Sequence, residues 1–298
     1  MPELPEVEVL RAQLHERLAG RTLDRLEVFD GRLTRPRDPH EVAVLASGRG
    51  VGAVRRRGKW LLFALEGGTL VWHLRMTGRM TYVGSDGSFG MRLVASESSA
   101  VAGRPTHLRA RLHLSDGARV DYTDTRRFGT AEWVPGDAVD LEVHFAGRTG
   151  VEPLGGDLDG ALLAAAFRGR RAPVKALLLD QRIVAGVGNI YCDEALWQAQ
   201  IHPLRPSGSI RRPALHRLAE AIIDRLRAGI AAGGASIDSY HDADGAPGRM
   251  QELLRVHLHR GDPCPRCGTE IVKLVVAGRG TYVCPRCQPR PRTRASSA

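Results

Sequence analysis

Lysine is nearly absent from this chain. Of 43 basic residues only Lys59, Lys175 and Lys273 are lysines, so arginine carries the positive charge. Arginine in place of lysine can reflect GC-rich coding. It does not explain a formal net charge of +10, which suits a polyanionic partner. Long apolar runs are also missing: none approaches the ~20 residues of a membrane span, so no membrane contact is expected. The first residues carry neither a basic region nor an apolar core of the secretory kind, which predicts a cytoplasmic protein. Cysteine is scarce, at five residues. In that compartment cysteines serve as thiols or metal ligands sooner than as disulfides. No internal repeat is present. What remains is an ordinary globular composition, 43% hydrophobic and 26% charged over 298 residues, enough for two domains with separate cores.

Residues 3–18 place Val7, Leu10, Leu14 and Leu18 on one helical stripe, with Gly20 as a stop. Short strand-like runs follow at 22–30, 50–57, 60–66, 69–75, 78–83, 90–95, 108–114, 118–123 and 130–135. Gly67-Gly68 and Asp116-Gly117 read as hairpin turns. Many short strands with little helix predict a sandwich or barrel over 1–135. The pattern changes at Pro135. Residues 136–156 read as a linker, and helical patterns follow at 158–168, 173–181, 189–200, 211–232 and 249–257, giving a helical domain over 157–258. Residues 259–288 hold four of the cysteines, and 289–298 read as a disordered basic tail.

The strongest local signal is Cys-Pro-Arg-Cys at 264–267 and again at 284–287. Two such knuckles 16 residues apart match a closed tetrahedral site for one structural Zn2+ held by Cys264, Cys267, Cys284 and Cys287. Between them two strand-like runs meet at Gly278-Arg279-Gly280, a hairpin with a lone arginine at its tip. Arg279 reads either as a phosphate contact or as a solvated turn residue. Gly186-x-Gly188 lacks the third glycine and the βαβ setting of a dinucleotide loop, so no nucleotide cofactor is expected. Asn189 stands at a helix start, either as a plain cap or as a phosphate clamp. Arg126, Arg127 and Phe128 at a strand junction fit a wedge that enters a base stack, or a core Phe flanked by solvated charges. Lys59 stands alone at the start of an apolar strand, Met76 reads as core or probe, His107 as a loop histidine, and Cys192 as a small buried hydrophobe. At the very N-terminus, Pro2, Glu3 and Glu6 suit a helix start. The same residues also suit a terminus that is itself a reagent.

Taken together these motifs resemble the formamidopyrimidine-DNA glycosylase / endonuclease VIII family of base-excision repair enzymes, on its formamidopyrimidine-DNA glycosylase side. The resemblance runs from Pro2 to about Cys287. It rests on Pro-Glu-Leu-Pro-Glu-Val at 2–7, Lys59, His73-Leu-x-Met76-x-Gly78, Tyr122-Thr-Asp-x-Arg-Arg-Phe-Gly129, Gly186-Val-Gly-Asn-Ile-Tyr191, and the four-cysteine finger with Arg279. Endonuclease VIII relatives typically carry Gly at the position of Leu4 and lack Arg-Arg-Phe-Gly.

The resemblance implies an α+β protein of two domains: an N-terminal β-sandwich led by a helix, then a helix–two-turn–helix domain ending in a zinc-finger hairpin. It implies a monomer acting on damaged double-stranded DNA in a bacterial nucleoid. Loss of Met1 would leave Pro2 with a free secondary amine, and an α-amine titrates near ~8, so a useful fraction is nucleophilic at neutral pH. Glu3 would be the general acid, Glu6 a second catalytic carboxylate of less defined role, Lys59 a proton donor and phosphate contact, and Arg279 the finger residue supporting δ-elimination. Met76, Arg126 and Phe128 would fill the gap left by a flipped nucleotide, with Arg126 on the orphan base. Asn189, Arg170 and His107 would touch the DNA backbone. The chain departs from the family in 236–259, part of which covers the flipped base: Arg249-Met250 and His257-Leu-His259 stand where aromatics are usual; separately, Arg109 stands where the family's His-x-His region has its second histidine. Other readings are an endonuclease VIII-like enzyme for oxidised pyrimidines, a non-catalytic binder of damaged DNA, and a zinc-ribbon RNA or transcription factor.

Overall fold

The computed structural model describes residues 1–85, 105–237 and 240–291. The expected strand at 90–95 and most of the expected tail lie outside them. The chain divides into two compact units, 1–146 with 229–251, and 147–228 with 252–298.

The first unit begins with helix α1 (Leu4–Leu18), followed by β1 (Thr22–Val28), α2 (Pro39–Ala46), β2 (Arg49–Arg57), β3 (Trp60–Leu65), β4 (Gly68–His73), β5 (Gly78–Val83), β6 (Leu108–Leu114), β7 (Arg119–Asp124) and β8 (Thr130–Pro135). Their order in the sheet is β5-β7-β6-β1-β2-β3-β4-β8, with antiparallel neighbours throughout. The β1–β2 junction is only two residue pairs long, Thr22↔Gly50 and Leu23↔Arg49. The sheet therefore turns a corner there, and its two four-stranded halves enclose one core as a sandwich. Leu26, Leu112 and Val120 come from one half, Val54, Phe63 and Trp72 from the other, and Val7, Leu10, Leu14 and Leu18 from α1. Trp72 meets Tyr122 edge-on across this core at 4.9 Å. Each of those fully buried α1 side chains contributes roughly 1.5–3 kcal/mol of burial free energy, which anchors the N-terminus firmly.

Two helices escaped the sequence reading. Asp38 caps α2 by accepting from the His40 amide at 2.8 Å. The expected linker 136–156 contains α3 (Ala138–Phe145), capped by Asp137 and Asp140. Leu141 and Phe145 pack on Leu62, Val71 and Val134, the outward face of β3, β4 and β8. That apolar outer face needs a cover, and the "linker" supplies it.

In the second unit, α4 (Gly160–Phe167), α5 (Val174–Leu178), α6 (Asn189–Gln198) and most of α7 (Arg212–Ala231) precede the hairpin β9 (Val272–Val276) and β10 (Arg279–Val283). The helix expected at 249–257 is a single short 3-10 turn, Met250–Leu253. Residues 229–251, expected in the helical domain, pack with the first unit instead. Polar groups on α1, with buried Glu6 among them, account for this. No helix among the described residues is long and apolar enough to cross a membrane.

Candidate active site

Pro2 is buried beside the first turn of α1, and Glu3 is the N-cap residue. The Glu3 amide donates to Glu6 Oε2 at 2.7 Å, one arm of a capping box that fixes the entry of the chain. The other Glu6 oxygen, Oε1, accepts from the Ala235 amide at 2.8 Å, and the Tyr240 hydroxyl donates to the Glu6 carbonyl at 3.2 Å. Gly234, at φ +87°, passes so close that a Cβ there would lie 2.8 Å from the Tyr240 ring and 3.0 Å from Glu6 Cγ. Burial, with the negative charges of Glu6 and Asp242, holds the Tyr240 hydroxyl well above its ordinary range, so it stays a donor. Further along α1, Gln13 donates to Asp242 at 2.9 Å and accepts from the Ala243 amide at 2.8 Å, while Arg17 pairs with Asp244. One face of α1 thus holds Ala235 and residues 240–244.

The same helix holds the turn that carries Lys59. Glu8 accepts from Arg56 Nε at 2.8 Å, and Arg56 Nη1 donates to the Gly58 carbonyl at 3.0 Å. Gly58 adopts φ +55°, and Lys59, only 6% exposed, follows it at the mouth of β3. His73 sits opposite Trp60 in the β3–β4 register and packs edge-on against it at 4.7 Å. Burial, then the charges of Arg75 and Lys59, push the His73 imidazole down to about 3. It is neutral, and its Nδ1 accepts from the Arg75 amide at 2.9 Å.

His107, Arg126, Phe128 and Thr77, the neighbour of Met76, are drawn together by Asp124, which stood in the sequence motif without a role of its own. Asp124 Oδ1 accepts from Thr77 Oγ1 at 2.5 Å and from the Arg126 amide at 3.1 Å. Its Oδ2 accepts from the Phe128 and Gly129 amides, both at 2.9 Å. Its own amide donates to the His107 carbonyl at 3.1 Å. Burial alone would raise this carboxyl, but the donors around it outweigh that and hold it below its usual range. The loop it folds leaves Phe128 52% exposed with the Arg126 guanidinium 4.8 Å above its ring. Phe128 is therefore not a core residue. Arg127 turns away at φ +61° and binds Asp30 at 2.5 Å. Gly129 is obligatory, since a Cβ there would collide with the Tyr122 hydroxyl. The clue in the sequence was an Asp opening a polar loop that closes on Gly.

In the second unit Gly188, not Asn189, is the N-cap residue of α6. Asn189 Nδ2 donates to the Gly280 carbonyl at 2.9 Å, tying the helix start to the strand beside Arg279. Gln181 shapes the approach, accepting from the Gly186 amide at 2.9 Å and donating to the Val187 carbonyl at 2.8 Å. The β9–β10 turn is Ala277-Gly278, both at positive φ, so exposed Arg279 heads the second strand instead of standing at the tip. Arg170 is exposed on a separate turn, whose carbonyl accepts from the Gly208 amide at 2.9 Å.

The four cysteine sulfurs lie within 4.8 Å of one another, with Cys267 3.5 Å from both Cys284 and Cys287 and Cys264 3.9 Å from Cys287. Tetrahedral Zn–S bonds of ~2.3 Å put sulfurs about 3.8 Å apart, so the set fits zinc. Trp197 donates to Cys264 Sγ at 3.4 Å and packs with Val256, Ile271 and Tyr282 around the site.

A sandwich led by a buried, capped N-terminal helix, followed by a helical unit ending in a four-cysteine hairpin, defines the class of helix–two-turn–helix DNA glycosylases. The comparisons with known proteins narrow this. Family models match residues 1–131 (Formamidopyrimidine-DNA glycosylase N-terminal domain), 149–241 (Formamidopyrimidine-DNA glycosylase H2TH domain) and 261–290 (Zinc finger found in FPG and IleRS). The chain is 41% identical to the formamidopyrimidine-DNA glycosylase of Chloroflexus aurantiacus and 43% identical to that of Chloroflexus aggregans, covering 97% of this chain and 98% of each relative. A Lactococcus lactis Fpg in complex with an abasic site containing DNA superimposes with a TM-score of 0.84 at 34% identity, over 97% of this chain and 100% of that one. The chain belongs to the formamidopyrimidine-DNA glycosylase family. It carries one structural zinc, held by Cys264, Cys267, Cys284 and Cys287.

Proposed function

We propose that the protein is a bifunctional DNA glycosylase and abasic-site lyase of base-excision repair, excising oxidised purines such as 8-oxoguanine and formamidopyrimidines from duplex DNA in the cytoplasm. One observation carries the reading: Pro2 and Glu3 are seated at the buried, capped start of α1, whose Glu8 also steers the Lys59 turn through Arg56. In the proposed mechanism the Pro2 nitrogen, freed of Met1, attacks C1′ of the damaged nucleotide. The C1′–base bond breaks, the base leaving with that electron pair and taking up a proton equivalent to the one the amine loses, and the C1′–O4′ bond opens as Glu3 protonates O4′. The product is an iminium, cationic because the amine is secondary, and it draws electrons from C2′ so that the 3′-phosphate leaves by β-elimination. Lys59 serves the proton transfers and touches phosphate. Arg279 holds the phosphate lost in the δ-step, and water then releases the sugar fragment from Pro2.

Glu6 has both oxygens engaged by backbone donors, which supports a positioning role over a proton-carrying one. Bound zinc braces the hairpin, and four thiolates leave it no open position for water. Arg126 and Phe128, gathered by Asp124, suit entry into the duplex gap together with Met76. Arg126 offers donors only, so it favours a partner base presenting acceptors, as cytosine does. His107, Asn189 and Arg170 suit backbone phosphates.

A mutant of Lactococcus lactis FPG has been seen with a Fapy-dG containing DNA, and the wild type with an oxidized pyrimidine containing DNA. The decisive experiment therefore offers duplexes bearing 8-oxoguanine, formamidopyrimidine, an oxidised pyrimidine or an abasic site, with borohydride present. The reading expects covalent trapping on the purine lesions and the abasic site, with weaker trapping on the pyrimidine. Binding without trapping on any duplex would make the protein a non-catalytic binder, and a pyrimidine preference would make it endonuclease VIII-like.

A further inference from the structure

The strand that presents Arg279 is held by a buried ionic cluster that the zinc site does not require. Lys175 on α5 and Asp193 on α6 are both 0% exposed and meet at 2.6 Å. Lys175 Nζ also donates to Thr281 Oγ1 at 2.8 Å and reaches the Gly280 carbonyl at 3.4 Å. Asp193 Oδ2 takes His257 Nδ1 at 2.8 Å and the Tyr282 amide at 3.3 Å. His257 packs edge-on against the Tyr282 ring at 5.0 Å. Three consecutive residues after Arg279 are thereby fixed to the two helices.

The zinc cannot do this alone. Its knuckles sit at the open end of the hairpin, with Cys284 five residues beyond Arg279, about 16 Å away at strand spacing. A two-stranded ribbon braced only at its base would splay near its turn. Nor does the cluster earn its place through stability, because a buried ion pair is commonly matched or bettered by apolar residues of the same volume. What a fully hydrogen-bonded buried pair adds is a single geometry.

We propose that Lys175, Asp193 and His257 form a positioning set that fixes the Arg279 strand and thereby the δ-elimination step. This rests on the reading of Arg279 as a phosphate contact. Each member acts through β10 and touches no substrate.

The test uses the zinc-loaded full chain on an abasic duplex, scoring 3′-aldehyde ends (β) against 3′-phosphate ends (β,δ), duplex Kd, zinc content and borohydride trapping. Arg279→Ala is the reference for the Arg279 reading. Lys175→Met, Asp193→Asn and His257→Phe should each raise the β to β,δ ratio several-fold and weaken binding by up to about tenfold, with zinc content and trapping retained. His257→Asn, whose amide can replace the Nδ1 donor, should restore the wild-type ratio where His257→Phe, which keeps the ring, does not. If Arg279→Ala leaves ratio and Kd unchanged, the Arg279 reading fails. If Arg279→Ala shifts them and the three cluster variants do not, the positioning set is overturned. Parallel loss of zinc or of trapping in those variants, or equal behaviour of His257→Phe and His257→Asn, would make the cluster a general fold element and would also overturn it.

Discussion

The two units present their functional groups by opposite means. In the first, the proposed nucleophile is the amine of Pro2, and it is seated by burial: Glu6 caps the helix start and Pro2 is itself buried. In the second, the proposed phosphate contact is the long side chain of Arg279, exposed on a hairpin with a four-cysteine site at its base and a buried ion pair beside its strand. A nucleophile needs one attack geometry and a low-dielectric seat. A phosphate contact needs reach from a rigid platform. The comparison teaches that damage to one unit should cost chemistry, and damage to the other should cost grip.

The largest effect belongs to the first unit. A residue left ahead of Pro2 removes the secondary amine and should lower excision and strand cleavage on the order of a thousandfold or more, with duplex Kd changed only a few-fold. Single-turnover rates with parallel binding assays check this. Next comes Glu3→Gln, expected to lose on the order of 100-fold or more in release of intact lesions but far less on preformed abasic sites. Equal losses on the two substrates would remove Glu3 as the acid of base release.

The second unit supplies the contrast. Cys267→Ser or chelation should weaken duplex binding about tenfold to a hundredfold, while saturating DNA still gives trapping. Unchanged affinity in the metal-free protein would break the division into chemistry and grip. Smaller again is Arg126→Ala, expected to flatten the preference for 8-oxoguanine opposite C over A by ~1–3 kcal/mol, with Phe128→Ala slowing both pairings. A ratio that survives Arg126→Ala would end its role as the base reader. Should the altered 236–259 region disfavour 8-oxoguanine, the same ratio is read with formamidopyrimidine.

The remaining effect touches neither chemistry nor grip but the pH dependence of stability. The His73 imidazole, at about 3 in the folded chain against 6.5 for the free side chain, favours the neutral form on folding. It stabilises fully above pH 6.5, and that contribution is lost as pH falls from 6.5 toward 3, by at most ~1.4 kcal/mol per pH unit. His73→Asn should flatten the acid limb of a Tm-against-pH curve over that window. An unchanged limb would show that another group governs it.

Much of this was legible in the sequence, and the pattern of misses is physical. Alternating strands such as 108–114 and the two cysteine knuckles are local patterns, and they stand in the structure at the expected places. α3 was hidden because Gly136 and its acidic neighbours resemble a linker, while the apolar face it covers belongs to distant strands. The place of 229–251 was hidden for a related reason: the Glu6–Ala235 and Gln13–Ala243 bonds join residues 229 and 230 positions apart. Lys175 announced nothing locally, since a Lys in a helix is ordinary, and Asp124 was visible in its motif but not its many donors. Their weight comes from partners that only the fold assembles.

The central claim is that the N-terminal amine of Pro2 is the nucleophile. The most direct measurement is borohydride trapping of the full chain on an abasic duplex, followed by proteolysis and mass spectrometry of the DNA-linked peptide. The account predicts a crosslink on residue 2, absent when an extra residue precedes Pro2. A crosslink on Lys59, or undiminished trapping by the extended chain, would contradict it.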